Sequence, residues 1–214
     1  RLVALAALSF FTGNEIVAQT NIGAACGCPA VGSRTAGSIL TEATNAGVLG
    51  TLPSSAYGYE ITGNLTLTCD KIWTIDQKIY VGPGATLTIP AGTKIEGIGG
   101  TASYIAVAQG GKININGTAS NPVVMTSGLS VKAPGDWGGI VICGKARNNQ
   151  GTDIQVEGFN NISTNSTLAK YGGINDDDNS GVIRYTRIEF CGLAFEPNKE
   201  INGLTFASVG RNTT

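Results

Sequence analysis

The sequence predicts an all-β fold, a parallel β-helix entered through an irregular cap, and three observations carry that prediction. From "GYEITGNLTLTC" onward, short runs alternate apolar and polar residues, and each is closed by Gly, Pro or Asn. "NLTLTC", "KIYV", "ATLTI", "YIAVAQ", "KININ" and "PVVMTS" are examples. Period two bounded by turn formers is the pattern of a strand. Next, "VGPGATLTIPAGTKI" (81–95) aligns with "AQGGKININGTASNP" (108–122), a repeat of about 25 residues, which lies in the solenoid range. Composition agrees. The chain has 31 Gly, about twice the usual share, and abundant Thr, Val and Ile, which favour strands over helices.

A single coil of this kind cannot bury its inward Ile, Leu and Val. Stacked coils pair their backbones with the layers above and below and share one core. Ile89 and Ile115 are therefore predicted to occupy matching places in neighbouring layers. An antiparallel sandwich also uses many short strands. Its best support is "NG" at 116–117 and 202–203, yet neither lies between two obviously paired runs.

Taken in order, Arg1 and the apolar run "LVALAALSFF" read as the later part of an export signal over 1–19, cut near Ala18 or Gln19. A short buried helix is the other reading. The run is too short to cross a bilayer, so no membrane span is expected in the mature chain. Residues 20–60, rich in Gly, Ala, Ser and Thr, read as a lead-in or cap, with "GSILTEATNAGVLG" either a short helix or a strand. Residues 61–214 are the predicted β-helix, expected to continue past the last residue given. Export would place the five cysteines in a disulfide-permissive compartment. Cys69 is expected to pair with Cys26 or Cys28. "CGCP" is not a CxxC motif, and lipid attachment at Cys26 is disfavoured because "GNE" separates it from the apolar run. "WGGIVICG" and "YTRIEFCG" end alike, 48 residues apart, which predicts Cys143 and Cys191 in one inward file two coils apart.

The blocks "LTLTCDKIWTIDQKIYVGPGATLTIPAGTKIEG", "GGKININGTASNPVVMTS", "DWGGIVICGKA" and "YGGINDDDNSGVIRYTRIEF" follow one another in order. Together, over about residues 61–210, they resemble a family of secreted or surface-attached β-helix proteins of Bacteroidota. The resemblance implies export, a right-handed parallel β-helix and, in many members, a C-terminal sorting domain for type IX secretion. It implies no defined activity.

The run Asp176-Asp177-Asp178-Asn179 is the most conspicuous polar feature. Adjacent carboxylates repel unless a cation or Arg offsets them. Asp176, Asp178 and Asn179 are therefore candidate calcium ligands, although strands rather than helices flank them and Arg187 stands where an EF-hand would need its acid. The competing reading is a solvated turn whose side chains cap backbone amides, or an ion pair of Asp178 with Arg184 or Arg187. Candidate catalytic groups are limited to this run with Glu157, Glu189, Arg184 and Lys170. The chain contains no His, which removes the commonest general base and metal ligand. Trp73, Trp137, Tyr171 and Tyr185 are candidate sugar-stacking residues, with Trp137 also read as packed beneath a corner. A net charge of −1 argues against nucleic acid as a partner.

These features predict an extracellular, cell-surface protein with a structural or adhesive role, a glycan or surface partner, and end-to-end self-association into fibres. The alternative is a polysaccharide-binding or polysaccharide-degrading β-helix, acting as a lyase or glycosidase.

Overall fold

The computed structural model describes residues 27–50, 52, 57–98, 100–159, 167–196 and 199–214. The export signal and Cys26 lie outside the described residues. The chain enters through β1 (Thr35–Ser38), helix α1 (Ile39–Asn45) and β2 (Leu49–Gly50). The first full coil is β3 (Tyr59–Ile61), β4 (Asn64–Thr66) and β5 (Lys71–Ile75). The second is β6 (Lys78–Val81), β7 (Thr86–Pro90) and β8 (Lys94–Gly97), and the third is β9 (Gly100–Val107), β10 (Lys112–Asn116) and β11 (Val123–Ser127). The fourth begins with β12 (Trp137–Cys143). It is interrupted by an insertion that carries β13 (Ile154–Gln155) and β14 (Lys170–Tyr171), and it resumes with β15 (Gly181–Arg184) and β16 (Thr186–Ile188). A second insertion, β17 (Leu193–Glu196) and β18 (Lys199–Ile201), precedes β19 (Leu204–Ala207).

Corresponding strands of successive coils pair in parallel and form three sheets. One contains β4, β7, β10 and β15; a second β1, β5, β8, β11 and β16; the third β2, β3, β6, β9, β12 and β19. Ile89 lies opposite Ile115, as the repeat requires. Among the described residues, antiparallel pairing is confined to β2–β3, β13–β14 and β17–β18. The architecture is the predicted all-β parallel β-helix, and the sandwich is excluded.

The strands form because their inward positions carry Ile, Leu or Val while their outward positions carry Thr, Asn or Lys. "KININ" buries both isoleucines and leaves Lys112 and Asn116 exposed. In register these residues make continuous files, such as Ile61, Val81, Val107, Ile142 and Phe206 through the third sheet. Each fully buried aliphatic side chain contributes roughly 1.5–3 kcal/mol of hydrophobic stabilisation.

Two expectations are corrected. The lead-in is not uniformly irregular: β1 already pairs with β5 in coil register, and "GSILTEATNAGVLG" supplies the end of β1, all of α1 and β2. Ser38 caps α1 by accepting a hydrogen bond from the Thr41 amide at 3.4 Å. β15 and β16 are separate strands because Tyr185 takes a left-handed φ of 44° and turns the chain between them. Cys143 and Cys191 do not share an inward file. Cys143 faces outward from β12 beneath the first insertion, and Cys191 forms an isolated parallel bridge to Trp137 in the adjoining layer. Their 48-residue spacing is less than one coil at this point, since the insertion stretches the step from Ile115 to Ile183 to 68 residues.

Candidate functional site: a walled groove on the third sheet

The outer face of the third sheet differs from the other two. β12 is buried at every position. Ile140 and Ile142 point into the main core, while Val141 and Cys143 join a second apolar cluster with Tyr80, Tyr104, Ala106 and Ala108. Val156, Phe159, Leu168 and Ala169 of the first insertion cover this cluster. The Phe159 ring packs edgewise on Tyr104 at 4.9 Å, and the Tyr80 and Tyr104 hydroxyls hydrogen-bond to each other. Burial holds both phenols protonated and pushes the Cys143 thiol up to about 12. At neutral pH Cys143 is a small core hydrophobe, not a nucleophile.

Where this covered region ends, a groove of about 330 Å³ remains open. Val141 of β12 with Thr205 and Ala207 of β19 line its floor. One wall is the β13–β14 insertion, with Val156, Glu157 and Tyr171. The other is β18 and the residue after it, with Glu200, Ile201 and Asn202. Asn148 ties the first wall to the floor, donating to Ser208 Oγ at 2.8 Å and to the Gly151 carbonyl at 2.9 Å. Val156 and Ile201 are buried, whereas both glutamates are exposed. The groove therefore offers an apolar floor, one tyrosine face and two anionic acceptors.

The acidic run lies elsewhere, at the corner between β14 and β15. Asp178, 7% exposed, accepts hydrogen bonds from the Lys145 amide at 3.0 Å and from Ser180 Oγ at 3.3 Å. Asp176 accepts from the Arg147 amide at 3.0 Å and pairs with the Arg147 guanidinium, also at 3.0 Å. Asp177 pairs with Arg211, and the Asn179 side chain accepts from the Gly181 amide at 2.9 Å. Gly181 itself has φ 118° and leaves no space for a Cβ against the Ile113 backbone. Asp176, Asp178 and Asn179 thus engage separate donors: Arg147 for the first, Lys145 and Ser180 for the second and Gly181 for the third. Among the described residues no group of three or more Asp, Glu, Cys or His side chains gathers as an ion site. The run is a clasp holding the segment after β12 on one side and residues 210–213 on the other. The cations are Arg147 and Arg211, not the expected Arg184 or Arg187.

The other candidates also disperse. Trp73 and Trp137 are fully buried in the main core and donate their indole N–H groups to the Thr68 and Glu189 carbonyls, at 2.6 Å and 2.8 Å. They cannot stack on a ligand. Gly97 makes room for Trp137, since a Cβ there would meet the indole. Tyr185 is exposed at its corner, away from the groove lining, and Tyr171 alone of the four aromatics reaches the groove. Glu189 pairs with Arg187. Of the candidate catalytic groups, only Glu157 lines the groove. Its partner Glu200 was not among the candidates, because only the β17–β18 hairpin brings it across from Glu157. The covered outer face did leave a trace in the sequence: "IVIC" and "YIAVA" do not alternate, which marks strands buried on both faces.

The lead-in is joined to the first coil by a disulfide between Cys28 and Cys69, with a Cα–Cα distance of 5.4 Å. Cys26, the other candidate partner, is outside the described residues.

Three stacked parallel sheets with inserted hairpins on one outer face define a parallel β-helix of the kind that presents a lateral cleft. Residues 59–214 match the family model described as a pectate-lyase-like β-helix domain, and the chain belongs to that family. No curated protein and no solved structure matches the chain.

Proposed function

We propose that this protein is an extracellular, surface-presented β-helix that binds a glycan in the groove between its two insertions and thereby serves adhesion. The groove carries the reading: a lateral cleft with an apolar floor, a tyrosine face and polar acceptors has the mixed character that sugar rings match. Family membership supports a polysaccharide as the ligand class. The disulfide supports an oxidising compartment. Among the described residues no helix is long and apolar enough to cross a membrane. Calorimetric titration with an oligosaccharide panel tests the reading. Binding lost in Tyr171→Ala, with an unchanged melting profile, is the expected result, and a panel without any binder overturns it.

A second reading has its own observation. Two carboxylates in one groove, Glu157 and Glu200, are the equipment of glycoside hydrolysis, one as acid and the other as base or nucleophile. Release of reducing ends that is abolished in both Glu157→Gln and Glu200→Gln would favour cleavage over adhesion.

A further inference from the structure

This inference rests on the glycan-binding reading above. We propose that the groove takes an amine-bearing glycan, a glucosamine-type oligomer with protonated amines, in preference to a neutral or uronate chain. The argument is charge complementarity within a defined cavity. Glu157 stands on one wall and Glu200 on the other, both exposed, and among the described residues neither Lys nor Arg lines the groove. The nearest cation in sequence on the first wall is Lys170. Side chains alternate across a strand, so Lys170 points away where Tyr171 points in. The chain has no His to supply a positive charge.

A carboxylate is an acceptor only, and an ammonium supplies three donors and the opposite charge. A glucosamine oligomer meets the carboxylates with its amines and Tyr171 with a ring face. A uronate oligomer would set its own carboxylates against Glu157 and Glu200, and this costs affinity unless a cation intervenes. A Lys-rich peptide shares the charge but lacks the ring face, and the groove's tyrosine favours the sugar.

The test compares glucosamine, N-acetylglucosamine and galacturonate oligomers of equal length by calorimetry on the full chain, with calcium or EDTA, and adds a Lys-rich peptide. The glucosamine oligomer should bind more tightly than its acetylated counterpart, by about two- to five-fold for each exposed ion pair. That margin should shrink as salt rises and vanish when the sugar amines are deprotonated. Glu157→Gln and Glu200→Gln should each remove part of the margin, weakening the glucosamine oligomer more than the acetylated one. Both sites are exposed, so folding is expected to survive, as a melting curve would verify. Galacturonate binding as well as or better than glucosamine, with or without calcium, overturns this inference and leaves the glycan reading standing. Equal binding of the peptide, or an unchanged preference in the double variant, also overturns it. Failure of every oligomer overturns both readings together.

Discussion

The two ends of the stack are made of the same kinds of residue but finish differently. At the first layer, α1 lays Ile39 and Ala43 against the core, both at 0% exposure, and Ile61 and Trp73 beneath them are equally covered. Cys28–Cys69 fastens this lid, and so does Arg34, which donates to the Pro29 and Gly92 carbonyls at 3.0 Å and 2.8 Å. At the last layer the inward file that runs through Val81, Val107 and Ile142 arrives at Phe206, which is 52% exposed. Ile183, Ile188, Leu204 and Val209 beside it are only partly buried. An inward position therefore becomes core only when a layer lies on top of it. We propose end-to-end self-association, which sedimentation tests: larger species that grow with concentration would fit it, and a monomer at every concentration would not.

The contrast can be broken most severely at the closed end. Ala43→Asp forces a carboxylate into the sealed core, and a loss of several kcal/mol, on the order of 4 or more, is expected in denaturant unfolding. Cys28→Ser with Cys69→Ser opens a loop with a sequence separation of 41. Chain entropy then implies a loss of about 3–4 kcal/mol, read as a lower melting temperature that matches the reduced protein.

A pair of truncations sharpens the comparison along one file. Ile142→Ala, in a covered layer, should cost about 3 kcal/mol, and Phe206→Ala, at the open layer, about 1 kcal/mol, despite the larger ring removed. Equal costs would show that the last layer is covered in solution.

The clasp gives a smaller effect. Asp178→Ala leaves the Lys145 amide without its acceptor and should cost about 1–3 kcal/mol. Asp177→Ala, at an exposed pair, should leave unfolding unchanged. Calcium and EDTA should leave the melting temperature of the parent protein unmoved, and a rise with calcium would favour an ion site at the run.

The smallest expected effect is chemical. Burial holds the Cys143 thiol protonated up to about 12, so it should resist alkylation at neutral pH until the chain unfolds, while half-buried Cys191 reacts sooner. The folded thiol keeps its proton where the unfolded one loses it. This contribution to stability is therefore full below pH 9 and declines as pH rises from there towards 12.

Much of the coil was legible because β-structure writes its inward face at every second residue. "ATLTI" and "KININ" specify both their strands and their mutual register, and the glycine-rich corners mark where the chain turns. The acidic run was recognisable as a corner, but its partners were not: Arg147 and Arg211 are 29 and 34 residues from the carboxylates they meet. The groove was the least legible feature. Glu157 and Glu200 carry no shared pattern, and two insertions of unequal length bring them to the same place.

By itself the sequence determined the local matters: alternating strands, turning glycines, a repeat that requires stacking, and a composition that favours strands over helices. These follow from steric and hydrophobic preferences within a few residues. Only the tertiary structure decided which apolar positions are covered, which arginines meet the aspartates, and which two glutamates line one cleft. Those depend on how many residues each coil inserts before returning to register, and that is a property of the stack as a whole.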